Sequence, residues 1–521
     1  MTLLIAPITA STAEQLTADL ERACQLGADI VELRLDYMPD LNPAALAAVG
    51  NTLPLLITPR RKEEGGASDA TDAERCDRLV EFAPQAALCD TELATWETAA
   101  AVRHRIAEAR AAVRGMDGQK LILSAHDFEK RPADFWRIVG RMNEIDACDV
   151  AKIVFQARHI SETFEVFDLM HENAKPVIAI AMGEAGLITR ILAKKFGAFA
   201  TFASLEAGKE SAPGQITLDA MKLLYRWDAM RPDTTVYGVI GNPVGHSMSP
   251  AIHNAAFSEC DINGAYVPLL IEPTYEHFED FLREALARPW FDLRGCSVTI
   301  PHKDNALRFT CECGGYVEPL AGRIGAVNTL TFEDGRILAH NTDYAGAMDA
   351  LTDTLGCQRG DLHGNEVAVL GAGGAARGVV AGLRDSGCKV TIYNRTPERA
   401  TRLAEEFGCT AAPLAERVRP GTQIVVNTTS LGMHPNVDDT PLPADRLQTD
   451  MTVFDTVYNP IETRLLREAR ALGCRTVDGV AMFVHQAAAQ FERWTGQSAP
   501  HALMRQVVLA RLTGADPSAQ R

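Results

Sequence analysis

Apolar residues in the first 225 positions fall into eight short runs, at 3–8, 30–35, 54–58, 86–90, 121–126, 150–155, 176–182 and 199–205. Between them lie polar stretches with apolar residues at helical spacing, as at 11–27, 70–82 and 161–173, and every gap but the last could hold a helix. Strand-like runs alternating with helical patterns predict a parallel sheet. Eight such repeats within about 200–250 residues predict closure into a (β/α)8 TIM barrel, with a doubly wound open sheet as the alternative.

The pattern changes after Tyr225. A short polar stretch interrupted by Pro232 marks a boundary, so the barrel is assigned to 1–225 and a linker to 226–235. Further on, Val367-Ala368-Val369-Leu370 leads into Gly371-Ala372-Gly373-Gly374-Ala375-Ala376-Arg377-Gly378, then a helical pattern through Val379, Val380 and Leu383. A second apolar run, Val390-Thr391-Ile392-Tyr393, ends in Asn394-Arg395-Thr396. Strand, glycine turn, helix, strand is the first half of a Rossmann dinucleotide-binding unit, placed at 344–479. Glycines there let the backbone approach a pyrophosphate held on helix N-terminal amides. An apolar-periodic helix from about Gly479, carrying Met482, Val484 and Phe491, is expected to return with its neighbours at 480–510 to the domain at 236–343 and bring Gln486 into the cleft. The tail, 513–521, is expected to be disordered.

Composition narrows the class. At 521 residues the chain exceeds one core, and 46% hydrophobic with 23% charged residues is a globular balance. A formal net charge of −17 argues against nucleic acid as a general partner. No apolar run approaches the roughly 20 residues of a membrane span. Strand-like residues begin at Leu3 without a basic leader, so no signal peptide is expected and the protein is read as cytoplasmic. Twelve scattered cysteines include no C-x-x-C; Cys311-Glu312-Cys313 lacks partners for a zinc site, so no metal is assigned and reduced thiols are expected.

Candidate chemistry sits where barrel strands end. Glu32, Arg34 and Asp36 close the second run, Arg60 closes the third with Glu64 just beyond, His126 ends the fifth, and Lys152 stands inside the sixth. A lysine within an apolar strand must be paired or neutralised. Desolvation and nearby arginines would make it a nucleophile toward carbonyls. The alternatives are an ion pair of Lys152 with Glu32 or Glu64 and a satisfied core histidine at 126; their shared barrel end favours a site. In the second half, Ser247 and Ser249 stand at a strand-to-helix turn, where they either bind a polyol or carboxylate or, for Ser249 followed by Pro250, simply cap the helix. Lys303 lies just past an apolar strand. An NAD site expects a carboxylate about 20 residues after the first glycine. Here stand Asn394, Arg395 and Thr396, with Arg399 one helical turn on, which suits the 2′-phosphate of NADP; the alternative is an ordinary basic turn.

These blocks also carry a resemblance. Glu32-Leu33-Arg34, Thr58-Pro59-Arg60 with Glu64-Gly65-Gly66, Ser124-Ala125-His126-Asp127-Phe128, Ala151-Lys152-Ile153, Met182-Gly183 with Arg190, and Ser211-Ala212-Pro213-Gly214-Gln215 resemble type I 3-dehydroquinate dehydratase in order. Pro59 and Ala125 depart from positions that are often aromatic, without removing a proton-transfer group. From about 235 to 510, the blocks at 242–250, 298–303, 325–329 and 341–343, the glycine loop, Asn427 to Met433 and Asp478 to Gln486 resemble shikimate dehydrogenase. The first resemblance implies an imine between Lys152 and a substrate ketone, His126 as base and acid, Glu64 orienting it, Arg190 on the carboxylate, and Glu32, Arg34, Arg60, Ser211 and Gln215 around the hydroxyls. The second implies Lys303 and Asp343 as the catalytic pair, Ser247 and Ser249 on the carboxylate, and Thr299, Asn328, Tyr458 and Gln486 on hydroxyls. It also implies NADP held by Gly371, Gly373, Gly374, Ala375, Ala376, Asn394, Arg395, Thr396, Arg399, Thr428, Gly479 and Met482. The implied small molecules are 3-dehydroquinate, 3-dehydroshikimate and shikimate. Quinate oxidation, a different imine-forming lyase and a non-catalytic metabolite-binding regulator are the competing readings.

Overall fold

The computed structural model describes residues 2–48, 50, 53–112, 118–415, 418 and 421–514. The remainder of the expected tail, 515–521, lies outside the described residues; Thr513 and Gly514 form a turn.

Eight parallel strands form the first sheet: β1 (Leu3–Ile8), β2 (Ile30–Arg34), β3 (Leu55–Thr58), β4 (Leu88–Glu92), β5 (Lys120–Asp127), β6 (Val150–Gln156), β7 (Val177–Met182) and β8 (Ala200–Phe202). Their order, β7-β6-β5-β4-β3-β2-β1-β8, is that of a barrel, not of an open doubly wound sheet. Between β7 and β8 closure rests on the Phe199 N–H donating to the Val177 carbonyl at 2.8 Å rather than on a ladder. Side chains alternate across a strand, so every second residue faces the barrel interior. Ile30, Leu56, Leu88, Ile122, Val150 and Ile178 make an apolar plug there. Further along β2 to β6 the inward positions turn polar and charged, at Glu32, Arg34, Thr58, Asp90, Glu92, Ser124, His126 and Lys152, while Val154, Ile180 and Met182 keep one wall apolar.

Two departures from the expected runs matter. The fourth strand does not stop at Asp90 but continues through Thr91 and Glu92, all buried. The eighth is shorter than 199–205, because after Phe202 the chain leaves the sheet and only Ser204 bridges, to Thr217.

The second sheet contains β9 (Thr235–Gly241), β10 (Gly264–Leu270), β11 (Leu293–Val298), β12 (Tyr316–Val317), β13 (Thr329–Glu333) and β14 (Arg336–His340), in the order β10-β9-β11-β13-β14-β12. The third contains β15 (Glu366–Leu370), β16 (Lys389–Asn394), β17 (Thr410–Pro413), β18 (Ile424–Asn427), β19 (Thr452–Asp455) and β20 (Arg475–Val477), all parallel. Its order, β17-β16-β15-β18-β19-β20, reverses between β15 and β18, which is where such sheets open their dinucleotide crevice.

Helix Gly479–Thr495 ties the last two sheets together. It packs on helix Thr342–Leu355, where a Cβ on Gly346 would stand 2.7 Å from the Gln486 nitrogen, so only glycine permits this approach. Its Gln490 accepts from Ser297 (2.7 Å) and donates to Thr329 (3.1 Å), and Trp494 donates to the Leu330 carbonyl (3.0 Å). The barrel is joined to the second sheet through helix Thr163–Glu172. Arg288 grips its Asp168 with two bonds of 2.9 and 2.7 Å, and Phe164 meets Phe281 and Phe291 at 5.5 and 5.3 Å between centroids. No helix among the described residues is long and apolar enough to cross a membrane.

Candidate active sites

At the C-terminal barrel end, the inward residues of β2 to β6 form one buried charge network. Lys152 donates to Asp90 at 2.9 Å, lies 3.9 Å from Glu32, and rests over the Phe202 ring at 4.7 Å. Arg60 bridges Asp90 (2.8 Å), Glu92 (3.1 Å) and the Ser124 hydroxyl (2.7 Å). Burial alone would raise the Asp90 carboxyl, but Arg60 and Lys152 override it and hold it well below the usual carboxylate range. Of the alternative ion-pair partners of Lys152, Glu32 stands at the outer edge of pairing distance and Glu64 is engaged with His126, while Asp90, not anticipated, takes the ammonium most closely. Asp90 and Glu92 were missed. The available signal was a charged residue at every second position after Leu88.

Glu64 holds His126 twice, with Oε2 3.0 Å from the ring Nδ1 and 3.0 Å from the backbone nitrogen. Burial raises Glu64 to about 7 although Arg60 opposes it. Burial, then Arg60 and Lys152, hold His126 well below its ordinary value. The imidazole is thus neutral near pH 7, fixed through Nδ1, with Nε2 available as a base.

Arg190 comes from the turn Ile188–Ile191 and is 1% exposed. Its nearest polar contact is the Pro213 carbonyl at 3.5 Å, its Nε has no hydrogen-bond partner, and burial pushes it down to about 10. Buried cations are normally paired, so this one awaits an anion. Gln215 accepts from the Ser211 nitrogen (2.9 Å) and donates to its hydroxyl (3.1 Å). Gly214 (φ +72) lets their loop cross Gly183, whose carbonyl would stand 2.5 Å from a Cβ. Arg34 is clamped on Asp36 (2.9 and 2.7 Å) and donates to the Gly65 carbonyl (3.0 Å), while Thr58 donates to Glu32 (2.9 Å). All nine expected barrel residues line one cleft.

In the second half, Lys303 opens helix Lys303–Glu312 and its Nζ lies 2.5 Å from Asp343 Oδ2. Asn328 donates to the other carboxylate oxygen at 2.8 Å and accepts from the Thr342 nitrogen at 2.7 Å. Asn341 caps the helix on which Asp343 stands, accepting from the Asp343 nitrogen at 3.1 Å. Gln490, which sequence reasoning missed, donates to the Asn328 carbonyl at 3.3 Å from behind.

Capping by Ser249 is excluded: Met248 is the cap residue and Ser249 already lies within helix Ser249–Glu259. Its nitrogen donates to the Ser247 hydroxyl at 3.2 Å. A Cβ on Gly241 would meet the Thr299 methyl at 2.5 Å, so glycine lets these two turns close up. Gln486 is nearly buried and donates to the Phe483 carbonyl (3.1 Å), and the half-exposed Tyr458 ring stands 5.4 Å from the Phe483 ring. Ser247, Thr299, Tyr458 and Gln486 make no hydrogen bond to Lys303 or Asp343 among the described residues, whereas Asn328 does.

At the switch point of the third sheet, Gly371 has φ +114 and a Cβ there would stand 2.6 Å from Thr428 Oγ1. That hydroxyl donates to the Leu370 carbonyl at 2.8 Å and fastens β18 to the loop. Gly373 begins helix Gly374–Asp385 without a side-chain cap, and a Cβ at Gly373 or Gly374 would meet nothing. The amides of Gly374, Ala375 and Ala376 lie in the first turn, where they have no intrahelical acceptor and no side-chain cap, so this helix N-terminus can serve as an anion cradle. Asn394 donates to the Thr396 carbonyl (2.8 Å) and shapes the turn after β16. Arg395 and Arg399 are exposed and pair with no described carboxylate. Gly479 passes close to the Val457 carbonyl (2.4 Å from a Cβ), and Met482 packs against the core beneath the glycine loop. This donor set fits a dinucleotide bearing a 2′-phosphate.

Residues 4–232 match the family described as type I 3-dehydroquinase. Residues 239–330 match the shikimate dehydrogenase substrate binding domain, 355–430 the shikimate / quinate 5-dehydrogenase family, and 479–509 the shikimate 5'-dehydrogenase C-terminal domain. The chain is 39% identical over 532 residues to the chloroplastic bifunctional 3-dehydroquinate dehydratase/shikimate dehydrogenase of Arabidopsis thaliana, covering 97% of this chain and 84% of that protein. It is 42% identical over 290 residues to the shikimate dehydrogenase (NADP(+)) of Methanosarcina acetivorans, covering 53% of this chain and 98% of the relative. A crystal structure of shikimate dehydrogenase in complex with NADP+ aligns with TM-score 0.50 and 35% identity, over 54% of this chain and 97% of that one.

Proposed function

The chain belongs to the family of bifunctional 3-dehydroquinate dehydratase/shikimate dehydrogenases, and we propose that it runs both reactions in sequence: 3-dehydroquinate to 3-dehydroshikimate, then to shikimate with NADPH. We divide it into a dehydratase barrel at 1–225, a linker at 226–235, a substrate domain at 236–343 completed by helices from 480–510, and an NADP domain at 344–479.

In the barrel, Lys152 adds to the C3 ketone of 3-dehydroquinate and expels water to give a protonated imine. The imine acidifies the C2 proton, which His126 Nε2 takes. His126 returns that proton to the departing C1 hydroxyl, which leaves as water, and hydrolysis of the imine frees Lys152. Glu64 fixes the ring, and Arg190 binds the substrate carboxylate. Glu32, Arg34, Arg60, Ser211 and Gln215 surround the hydroxyls. In the second site, Ser247 and Ser249 hold the carboxylate and Thr299, Asn328, Tyr458 and Gln486 the hydroxyls. Bound NADPH supplies a hydride to the ketone. Lys303 delivers the proton to the developing alkoxide, and Asp343 orients the ammonium. Arg395 and Arg399 recognise the 2′-phosphate.

The observation that carries this reading is the meeting of Lys152, His126 and an anion-seeking Arg190 in one cleft. Unpaired thiols at all twelve cysteines support a reducing compartment such as the cytoplasm. The test is NADPH consumption by the purified protein given only 3-dehydroquinate. Steady consumption with shikimate as product is expected. Consumption only when 3-dehydroshikimate is supplied would assign the barrel another substrate, and inactivity with both would favour a metabolite-binding regulator.

A further inference from the structure

Where the barrel meets the second sheet, the chain assembles a donor cluster from residues far apart in sequence. His159 lies just beyond β6, the strand that carries Lys152. Glu272 lies just beyond β10, and His277 stands in the first turn of helix Tyr275–Leu286. His159 Nδ1 is 3.1 Å from Glu272 Oε1, and the two imidazoles stack with centroids 4.4 Å apart. One ligand atom from each residue falls within 4.8 Å of the others.

The close approach leaves polar atoms unsatisfied. His159 Nδ1 and Glu272 Oε2 are both buried without a hydrogen-bond partner, although Nδ1 touches the same carboxylate. Buried polar atoms are nearly always satisfied, and an exception calls for an ion or water. A plain His–Glu ion pair would leave Oε2 orphaned, and protonating both stacked rings would set two cations face to face. A cation satisfies all three residues at once. Two imidazole nitrogens and a carboxylate oxygen are a zinc-type donor set that leaves a fourth position for water. Donors bound at about 2.0–2.2 Å on a tetrahedron sit roughly 3.3–3.5 Å apart, so the His159–Glu272 edge is already near that spacing and His277 needs only a side-chain adjustment. The side chains of His159 and Glu272 keep 43% and 26% exposure, which gives an ion a way in.

We propose that His159, Glu272 and His277 bind a divalent cation of the zinc class that clips the barrel to the second sheet. The clip lies close to the second candidate site. The carbonyl of Ile271, next to Glu272, contacts the Asn242 amide (3.2 Å) and the His302 ring (3.0 Å), and His302 immediately precedes Lys303.

The test uses full-length protein freed of metal by a chelator and then titrated with Zn2+ and, separately, Co2+. Saturable binding of about one equivalent is expected, with a rise in thermal midpoint as zinc is added. His277→Ala and Glu272→Gln should each weaken binding at least tenfold. Because these residues are partly exposed, both variants should keep the wild-type circular dichroism; His159→Gln replaces either one that does not. The Co2+ spectrum should lack the intense near-ultraviolet absorption of a cobalt–thiolate bond. Absence of saturable binding, binding unchanged in the variants, or a thiolate band assigning the ion to cysteines would each overturn the proposal.

Discussion

Arg190 offers the sharpest test of the barrel reading, because its catalytic and structural roles predict opposite changes in stability. Its guanidinium is buried, has no carboxylate partner among the described residues, and touches only the Pro213 carbonyl, at 3.5 Å. If it exists to receive the substrate carboxylate, Arg190→Met removes two charge-assisted hydrogen bonds, each worth about 1.5–3 kcal/mol. The sum, roughly 3–6 kcal/mol, is a loss of about 10²- to 10⁴-fold in kcat/KM for dehydration. The same substitution removes an unpaired buried charge and leaves an unbranched apolar chain in its place, so the folded protein should not lose stability. Steady-state dehydration and urea unfolding followed by fluorescence measure the two effects. The expected outcome is a large loss of kcat/KM with an unfolding midpoint at or above wild type, and partial recovery in Arg190→Lys, which keeps the charge but not the paired donors. A falling midpoint alongside falling activity would make Arg190 structural, and activity within tenfold of wild type would remove it from the site.

Three further outcomes follow from the geometry. Lys152→Ala should abolish dehydration and leave reduction of added 3-dehydroshikimate intact; borohydride with 3-dehydroquinate should label wild type and not the variant, and loss of both activities would argue against separable sites. Glu64 titrates near 4.5 when unfolded and about 7 when folded, so the folded state holds its proton more tightly. Its contribution is therefore present at low pH and lost as pH rises through 7, and the stability of wild type relative to Glu64→Gln should fall by about 3 kcal/mol between pH 4.5 and 8 in urea titrations; a difference that grows with pH would contradict the burial argument. Arg395→Ala should weaken NADPH by about 1.5–3 kcal/mol, roughly 10- to 150-fold, and NADH far less. Equal losses in a fluorescence titration would withdraw the 2′-phosphate assignment.

What was legible in the sequence follows from periodicity. Short apolar runs alternating with helical patterns located the barrel strands, and the charged residues at their ends marked the mouth, because side-chain alternation continues past the apolar plug. The fourth run, given as 86–90, stopped two residues short of the strand end at Glu92. In this barrel the inward carboxylate is tolerated because Arg60, just past β3, and Lys152, on β6 across the barrel mouth, meet it, and that pairing depends on strand order, which spacing alone does not contain. Gln490 was missed for a similar reason. It lies one helical turn beyond Gln486 on the same helix, yet its partners Ser297 and Thr329 come from strands far earlier in the chain.

The join between the halves shows how a pattern can be read correctly and still conceal its consequence. Helix Thr163–Glu172 buries Thr163, Phe164, Val166, Phe167, Leu169 and Met170, which is more than the single apolar stripe a barrel helix needs. Phe164 and Phe167 meet Phe291 of the second half, at 5.3 and 5.6 Å. Asp168 on the same helix is gripped by Arg288, whose guanidinium also bonds Glu284 at 2.5 Å. An aromatic cluster flanked by a bidentate ion pair resists sliding in a way that a flexible tether does not, because the arginine fork accepts a carboxylate in few orientations. The second apolar face of this helix was visible in the sequence, and its excess over a barrel helix was the sign that another body packs on it. The two candidate sites are therefore carried on surfaces held in a defined relation by this contact.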